Sequence, residues 1–180
     1  MGSVGNSTNS TGTNVQYPTE FGYSSGVYNA DFEPVDELYP NEWKNAKDDY
    51  AEYLASSFYA SREGYTGPDK ELYVLYSPDM KNRAFIHIDE GTGHLDALGS
   101  TGGGMGTEAL IRTMEVMAGK GKGLYWSTDN PDSSNYYDHL GLSKYGKDNG
   151  WIKGSKNYDI PKEELPKVIA KLRKKYKRNY

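Results

Sequence analysis

The stretch HLDALGSTGGGMGTEALI, residues 94–111, decides the fold of this chain. It begins with alternating polar and apolar residues, which predicts a short strand over His94–Gly99. Glycines at 102–104 and 106 end the strand, and the apolar stripe that follows at three- and four-residue steps predicts a helix. Such a strand, turn and helix start together form an anion site, because unpaired amide N–H groups and the helix dipole favour negative charge. The stripe consists of Leu110, Ile111, Met114 and Met117.

The residues before this stretch predict a helix and two further strands. Aromatic and aliphatic residues recur at helical steps over about residues 41–62, which predicts one buried stripe. Strands are expected over Leu72–Tyr76 and Arg83–Asp89, because the turn formers SPDMKN and EGTG separate three strands of an antiparallel meander. The stripe of the helix consists of Trp43, Ala46, Tyr50, Tyr53, Leu54 and Phe58.

The residues after the central helix predict alternating short elements. Gly119–Gly123 ends that helix, and the pattern then predicts a strand over Leu124–Thr128 and a short helix over Ser133–Leu140. A last strand is expected over Lys156–Ile160, and a helix follows it. An antiparallel meander followed by a strand, a glycine loop, a helix and a strand predicts an α+β fold with a mixed sheet.

Composition restricts the class of protein. The chain has 180 residues, a net charge of −4 and no cysteine, which suits one domain without disulfides or thiolate metal sites. No apolar run approaches the roughly 20 residues that span a bilayer, and no signal peptide is evident. The expectation is a cytoplasmic protein without membrane contact, for which nucleic acid is an unlikely partner.

The two ends of the chain differ in charge. Residues 1–40 carry five acidic residues and no Lys or Arg, and we expect a flexible leader that is either solvated or a docking arm for a protein partner. Residues 41–160 form the predicted main domain. Residues 161–180, beginning at Pro161, form a predicted C-terminal helix with a basic excess. That helix is either a solvated face or a docking surface for an acidic partner, a nucleic acid or the leader.

The predicted meander carries a polar face. If Asp89 and His94 pair across the turn, His87 faces Asp96, and all four side chains share one face of the sheet. This face is either an ordinary solvated surface, the lining of a site in which Asp96 and a neighbouring His take protons from an amine, or a metal site. The opposite, apolar face is expected to hold Ile86, Ile88, Leu95 and Ala97.

Three classes of ligand compete for the glycine loop. A nucleoside-triphosphate loop is excluded, because no Gly-Lys pair precedes Ser or Thr. Residues 104–109 fit the dinucleotide pattern G-x-G-x-x-A, with Asp129 as the acid for a ribose. Against this oxidoreductase reading, hairpin-linked strands precede the loop and few residues follow Asp129.

The third reading is a resemblance to the GNAT superfamily of N-acetyltransferases over about residues 41–147. Residues 101–106, TGGGMG, match the family's pyrophosphate loop Q/R-x-x-G-x-G/A except at Thr101. The chain also keeps the later family signature, in which Asn130 precedes Tyr137 by seven residues and a Tyr-x-x-x-Gly ending follows. Leu142 replaces the common Phe of that ending, and the order of predicted elements is the family's order.

The resemblance implies transfer of an acetyl group from acetyl-CoA to a primary amine of a protein or small molecule. Tyr137 is then expected to protonate the departing thiolate, with an aromatic core anchor as its alternative role. Asp96, His94 and His87 are the expected acceptor-side catalytic residues, and no metal is expected. A silent binding module of the same fold is the alternative function. The expected cofactor contacts are Leu98, Gly99, Ser100, Gly102, Gly103, Gly104, Met105, Gly106, Thr107, Asn130 and Ser133.

Overall fold

The computed structural model describes residues 15–21, 27–29, 69–77, 79 and 81–176. The predicted helix at about 41–62 lies outside the described residues. Within the described ranges, seven strands form one sheet in the order β1-β2-β3-β4-β5-β7-β6. The strands are β1 (Val27–Asn29), β2 (Lys70–Tyr76), β3 (Arg83–Asp89), β4 (His94–Ser100), β5 (Leu124–Ser127), β6 (Gly146–Asp148) and β7 (Lys156–Ile160).

The sheet is mixed, as predicted. Strand β4 runs parallel to β5, and every other neighbouring pair is antiparallel. Strands β3 and β7 have the predicted bounds, and β2, β4 and β5 differ from prediction by one or two residues. Strand β6 has only three residues, too few to show an alternating pattern, and sequence reasoning missed it.

Three α-helices accompany this sheet in the described ranges: α1 (Met105–Gly119), α2 (Pro131–Tyr137) and α3 (Leu165–Lys175). A π-helical segment (Asp138–Leu142) and a 3-10 turn (Ser143–Tyr145) follow α2. Helix α1 connects β4 to β5, and its predicted stripe is fully buried. Helix α3 begins later than predicted, because Pro161 lies in a turn whose carbonyl accepts from the N–H groups of Glu164 and Leu165. No helix among the described residues is long and apolar enough to cross a membrane.

The basic helix α3 packs on α1. Leu165, Val168, Ile169 and Leu172 form its buried stripe. Beside this stripe, the Arg173 guanidinium makes bidentate contacts with Glu108, at 2.6 and 3.0 Å, and a 2.8 Å contact with Glu115. Burial alone would lower the pKa of Arg173, but its hydrogen bonds to these two carboxylates raise it. One basic side chain of this helix therefore binds the acidic groups of α1.

Two pieces of the predicted leader lie against the folded body. Strand β1 adds to the edge of the sheet beside β2. Phe21 is buried and stacks on Tyr73 with 4.1 Å between ring centroids. The Phe21 ring is thereby kept out of water, whereas Tyr17 is half-buried and the other residues of 15–20 are exposed.

A β-bulge corrects the predicted register of β3 and β4. Asp89 pairs with His94, as expected, but His87 pairs with Ala97 instead of Asp96. The extra residue in β4 shifts the alternation, so Ala97 leaves the predicted apolar face and Leu98 pairs with Ile86. The alternation of side chains along a sequence does not reveal an inserted residue of this kind.

Candidate cofactor and acceptor site

Strands β4 and β5 are paired at one position only. His94 is opposite Tyr125, whose N–H donates to the Gly93 carbonyl at 3.0 Å. Beyond this pair the ladder stops, although β4 continues to Ser100 and β5 to Ser127. Parallel strands that pair only at their start leave peptide groups on facing edges without strand partners. A linear ligand with amide groups could replace the missing strand there.

The glycine turn follows β4 directly. Gly102, Gly103 and Gly104 have φ of 116°, 67° and 79°, a run of left-handed conformations that side chains disfavour. Helix α1 then begins without a side-chain cap. A Cβ added at Gly104 would meet no atom within 4 Å. First-turn N–H groups of a helix lack intrahelical partners, so this start can receive an anion.

Asn82 lies in the connection between β2 and β3, and its side chain supports the glycine turn. Its side-chain oxygen accepts a 3.2 Å hydrogen bond from Thr101. Gly103 has a φ of 67°, and a Cβ added there would lie 2.6 Å from the Asn82 side-chain nitrogen, so a larger residue would be strained and would displace Asn82. Sequence reasoning missed Asn82 because its partners are distant along the chain. The Thr101 position, which departs from the family pattern, is therefore held by a neighbouring side chain.

Asn130 and Ser133, two predicted cofactor contacts, meet each other at the start of α2. The Asn130 side chain accepts from the Ser133 N–H at 2.8 Å and caps the helix. Ser133 thus contributes its backbone N–H to this cap. Both residues set the entry of α2 beside the end of β5, which is the side of the cleft opposite α1.

The two neighbouring tyrosines of α2 have different surroundings. Tyr137 is only 8% exposed and packs against Trp126 and Tyr158, with centroids at 5.0 and 5.3 Å. Tyr136 is exposed, and its hydroxyl lies 2.6 Å from the Thr107 hydroxyl in the first turn of α1. The aromatic-anchor role considered for Tyr137 is thus present, and Tyr136 is a site residue that motif spacing did not identify.

The predicted polar residues of β3 and β4 do come together. The Asp96 carboxylate accepts a hydrogen bond from Nδ1 of His94, and its other oxygen lies 3.7 Å from Nδ1 of His87. His87 is buried, whereas the His94 side chain is about one-third exposed and packs against the Tyr125 ring at 4.7 Å. Asp89 instead accepts from the N–H groups of the turn.

This cluster sits at the position where β4 and β5 separate. Since Asp96 holds Nδ1 of His94, the other ring nitrogen is the one that can take a proton from a ligand. Among the described residues, no group of three or more His, Asp or Glu side chains has a metal-binding arrangement. The contact of Asp96 with His94 suits proton transfer by the imidazole.

Comparisons with known proteins identify the fold. No family model and no curated protein matches the chain. A crystal structure of a candidate acetyltransferase is similar over 92% of this chain and 97% of its own, with 17% identity and a TM-score of 0.50. A chimera of the Vibrio cholerae spermidine N-acetyltransferase SpeG and hSSAT covers 78% of this chain and 98% of its own, with 11% identity and a TM-score of 0.46.

The first of these likenesses shows that the chain has an acetyltransferase fold, as the resemblance to the GNAT superfamily predicts. The predicted α+β class with a mixed sheet is likewise confirmed. An identity of 17% establishes the fold alone, so the activity has to be argued from the site.

Proposed function

We propose that this protein is an acyl-CoA-dependent N-acyltransferase that moves an acetyl group from acetyl-CoA to a primary amine. The observation that carries the proposal is the single β4–β5 pair, His94 with Tyr125, immediately before the uncapped start of α1. A cleft between two strand edges suits the extended amide-bearing arm of coenzyme A. The start of α1 suits the diphosphate at the end of that arm.

The N–H groups of the segment from Gly102 through Thr107 are the proposed diphosphate contacts, except that of Met105, which donates to the Gly102 carbonyl at 3.2 Å. Three left-handed glycines allow the backbone of this turn to approach the ligand closely. The open space beside Gly104 is where a phosphate oxygen fits. The Thr107 hydroxyl, now bonded to Tyr136, adds a side-chain donor at the same end of the cleft.

The peptide groups of β4 divide between two sides. The Asp89 carbonyl accepts from Gly93, so the odd-numbered residues of β3 direct their peptide groups to β4. Phe85 therefore directs its groups to its partner Gly99, while the peptide groups of Leu98 point to the open side. The Leu98 N–H is accordingly the proposed donor to the thioester carbonyl, where negative charge develops.

The proposed general base is His94, oriented by Asp96. His94 takes a proton from the attacking amine, whose nitrogen then bonds to the thioester carbonyl carbon as the carbon–sulfur bond breaks. The departing sulfur takes a proton from the Tyr137 hydroxyl, the donor that the motif suggests, and the tyrosinate then takes the remaining extra proton from the substrate nitrogen. The amine is a lysine side chain, an amino terminus or a small amine, for which Asp96 and the Tyr125 ring offer a cation-compatible wall.

Calorimetric titration with acetyl-CoA tests this function, together with an assay of free thiol released in the presence of a panel of amines. Saturable binding and amine-dependent thiol release are expected. Absence of binding at millimolar acetyl-CoA would contradict the proposal. Binding without turnover on any amine would instead favour the alternative, a silent module of the same fold.

The dinucleotide alternative does not fit the observed sheet. A doubly wound fold needs several parallel strands, and among the described residues β4–β5 is the one parallel pair of the sheet. Asp129, the residue considered for the ribose, is exposed and accepts from the Asn130 side chain. No observation at the site favours a nicotinamide cofactor.

A further inference from the structure

Trp126 occupies a special position at the cleft. It is the first residue of β5 beyond Tyr125, the last residue of that strand to pair with β4. Its side chain is only 3% exposed and lies on the face covered by α2, where it packs against Tyr137. An indole is therefore buried at the place where the two strands separate.

The indole N–H of Trp126 has no hydrogen-bond acceptor within the part of the chain that the structure describes. The neighbouring polar groups bond elsewhere, since the Tyr158 hydroxyl lies 2.7 Å from Asp138 Oδ1 and Thr128 bonds Ser134 at 2.6 Å. Buried donors are nearly always paired in native proteins. An unpaired one beside a cleft suits a ligand acceptor, since none of the described residues supplies one.

Aromatic packing keeps this indole in place. The Tyr158 ring is almost parallel to it, at 7° and 5.2 Å between centroids, and the Tyr137 ring is tilted against it at 5.0 Å. Burial and, after it, the hydrogen bond to Asp138 raise the pKa of Tyr158, so its hydroxyl remains a donor. Trp126 cannot readily turn its N–H towards water without disturbing this stack.

We infer that the Trp126 indole N–H donates a hydrogen bond to an amide carbonyl of the pantetheine arm of coenzyme A. The inference rests on the proposed function. The arm carries two secondary amides, whose carbonyls are strong acceptors, and a carbonyl entering between β4 and β5 reaches the strand position that Trp126 occupies. The bond would fix the depth of the arm in the cleft, which makes Trp126 a positioning residue for the thioester.

The direct test follows the indole N–H signals of the 15N-labelled protein by NMR. The chain has three tryptophans, and the variants Trp43→Phe, Trp126→Phe and Trp151→Phe assign their signals. Saturation with coenzyme A is expected to move the Trp126 signal downfield and to slow its hydrogen exchange. Adenosine 3′,5′-bisphosphate, which lacks the arm, is expected to leave it unchanged. Trp151, at 62% exposure, is the internal control.

The second test measures affinity. Trp126→Phe is expected to weaken coenzyme A binding about tenfold, the effect of one lost hydrogen bond, with unchanged affinity for adenosine 3′,5′-bisphosphate. An equal loss for both ligands would indicate a structural role and overturn the inference.

An unmoved Trp126 signal in a protein saturated with coenzyme A would also overturn the inference. If Trp126→Phe does not fold, this NMR measurement on the unaltered protein replaces the affinity test. Failure of the unaltered protein to bind coenzyme A at all is a different result, because it removes the proposed function and this inference with it.

Discussion

The hydroxyls of Tyr136 and Thr107 meet at 2.6 Å and join α2 to the first turn of α1. These helices follow β5 and β4, the two strands that separate, so the bond bridges the cleft between them. It lies at the diphosphate end of the proposed cofactor site. Tyr136 therefore lies too far along the proposed path of the arm to act on the thioester.

A double-mutant cycle with Tyr136→Phe and Thr107→Val measures this bridge. We expect a coupling free energy of roughly 0.5 kcal/mol in urea unfolding, since the bond is exposed. Tyr125→Phe, also at an exposed tyrosine, should not couple to Thr107→Val. Additive effects of Tyr136→Phe and Thr107→Val would mean that the two hydroxyls do not stabilise the fold together.

Alanine substitutions at two glycines of similar backbone geometry distinguish the cost of backbone strain from the loss of a ligand contact. Gly104 and Gly121 have φ of 79° and 70°, and a Cβ added at either meets no atom within 4 Å. Alanine at each should cost about 1 kcal/mol of stability. Only Gly104→Ala should weaken coenzyme A binding, by about tenfold or more in calorimetry, because its methyl group would occupy the proposed phosphate position. Equal affinities for the two variants would place the diphosphate elsewhere.

The pair of His94 and Asp96 is tested by its kinetics. His94→Ala should lower kcat by about 100-fold or more, the range for a lost general base, and leave acetyl-CoA binding unchanged. Asp96→Asn should lower kcat less, because the imidazole remains but loses its orienting carboxylate. His139→Ala removes an exposed histidine and should have wild-type kinetics. A His94→Ala variant with unchanged kcat would exclude His94 as the base.

Asp138 gives the fold a specific dependence on pH. Burial raises its pKa, but hydrogen bonds from Lys156 and Tyr158 outweigh this and lower it below the ordinary 3.8. A carboxyl with a lowered folded-state pKa stabilises the fold above its unfolded pKa, and this contribution is lost as pH falls through the folded value. Asp138→Asn should thus cost roughly 1 kcal/mol at pH 7 and less at pH 3.

Urea unfolding at the two pH values checks this expectation. Asp148→Asn, at an exposed position, is the matched control and should change stability little at either pH. A cost of Asp138→Asn that is the same at pH 3 and pH 7 would show that the ionised carboxylate does not provide the stabilisation.

The elements that could be predicted are those with strong local patterns. The alternation in β3 and the stripe of α1 follow from burial of one face, so their residues and partners were foreseeable. The cluster of His87, His94 and Asp96 was also foreseeable, although the register was not. The bulge adds one residue to β4 and leaves the three side chains close because Asp96 reaches both imidazoles.

The residues that escaped prediction act across long sequence separations. Asn82 supports a turn about 20 residues away, and Tyr136 bonds Thr107 across 29 residues. Both belong to common residue types in ordinary local patterns. Their roles depend on which elements the topology makes neighbours, and local periodicity does not carry that information.

The sequence by itself determined the order of the strands and helices it revealed, the glycine turn before α1 and the polar residues of β4. Local propensity and the alternation of buried faces specify these. Only the tertiary structure decided where β4 and β5 separate, which tyrosine of α2 is buried, and that Trp126 holds an unpaired N–H beside the cleft. Those features depend on packing between distant segments, where small differences in distance determine which groups find partners.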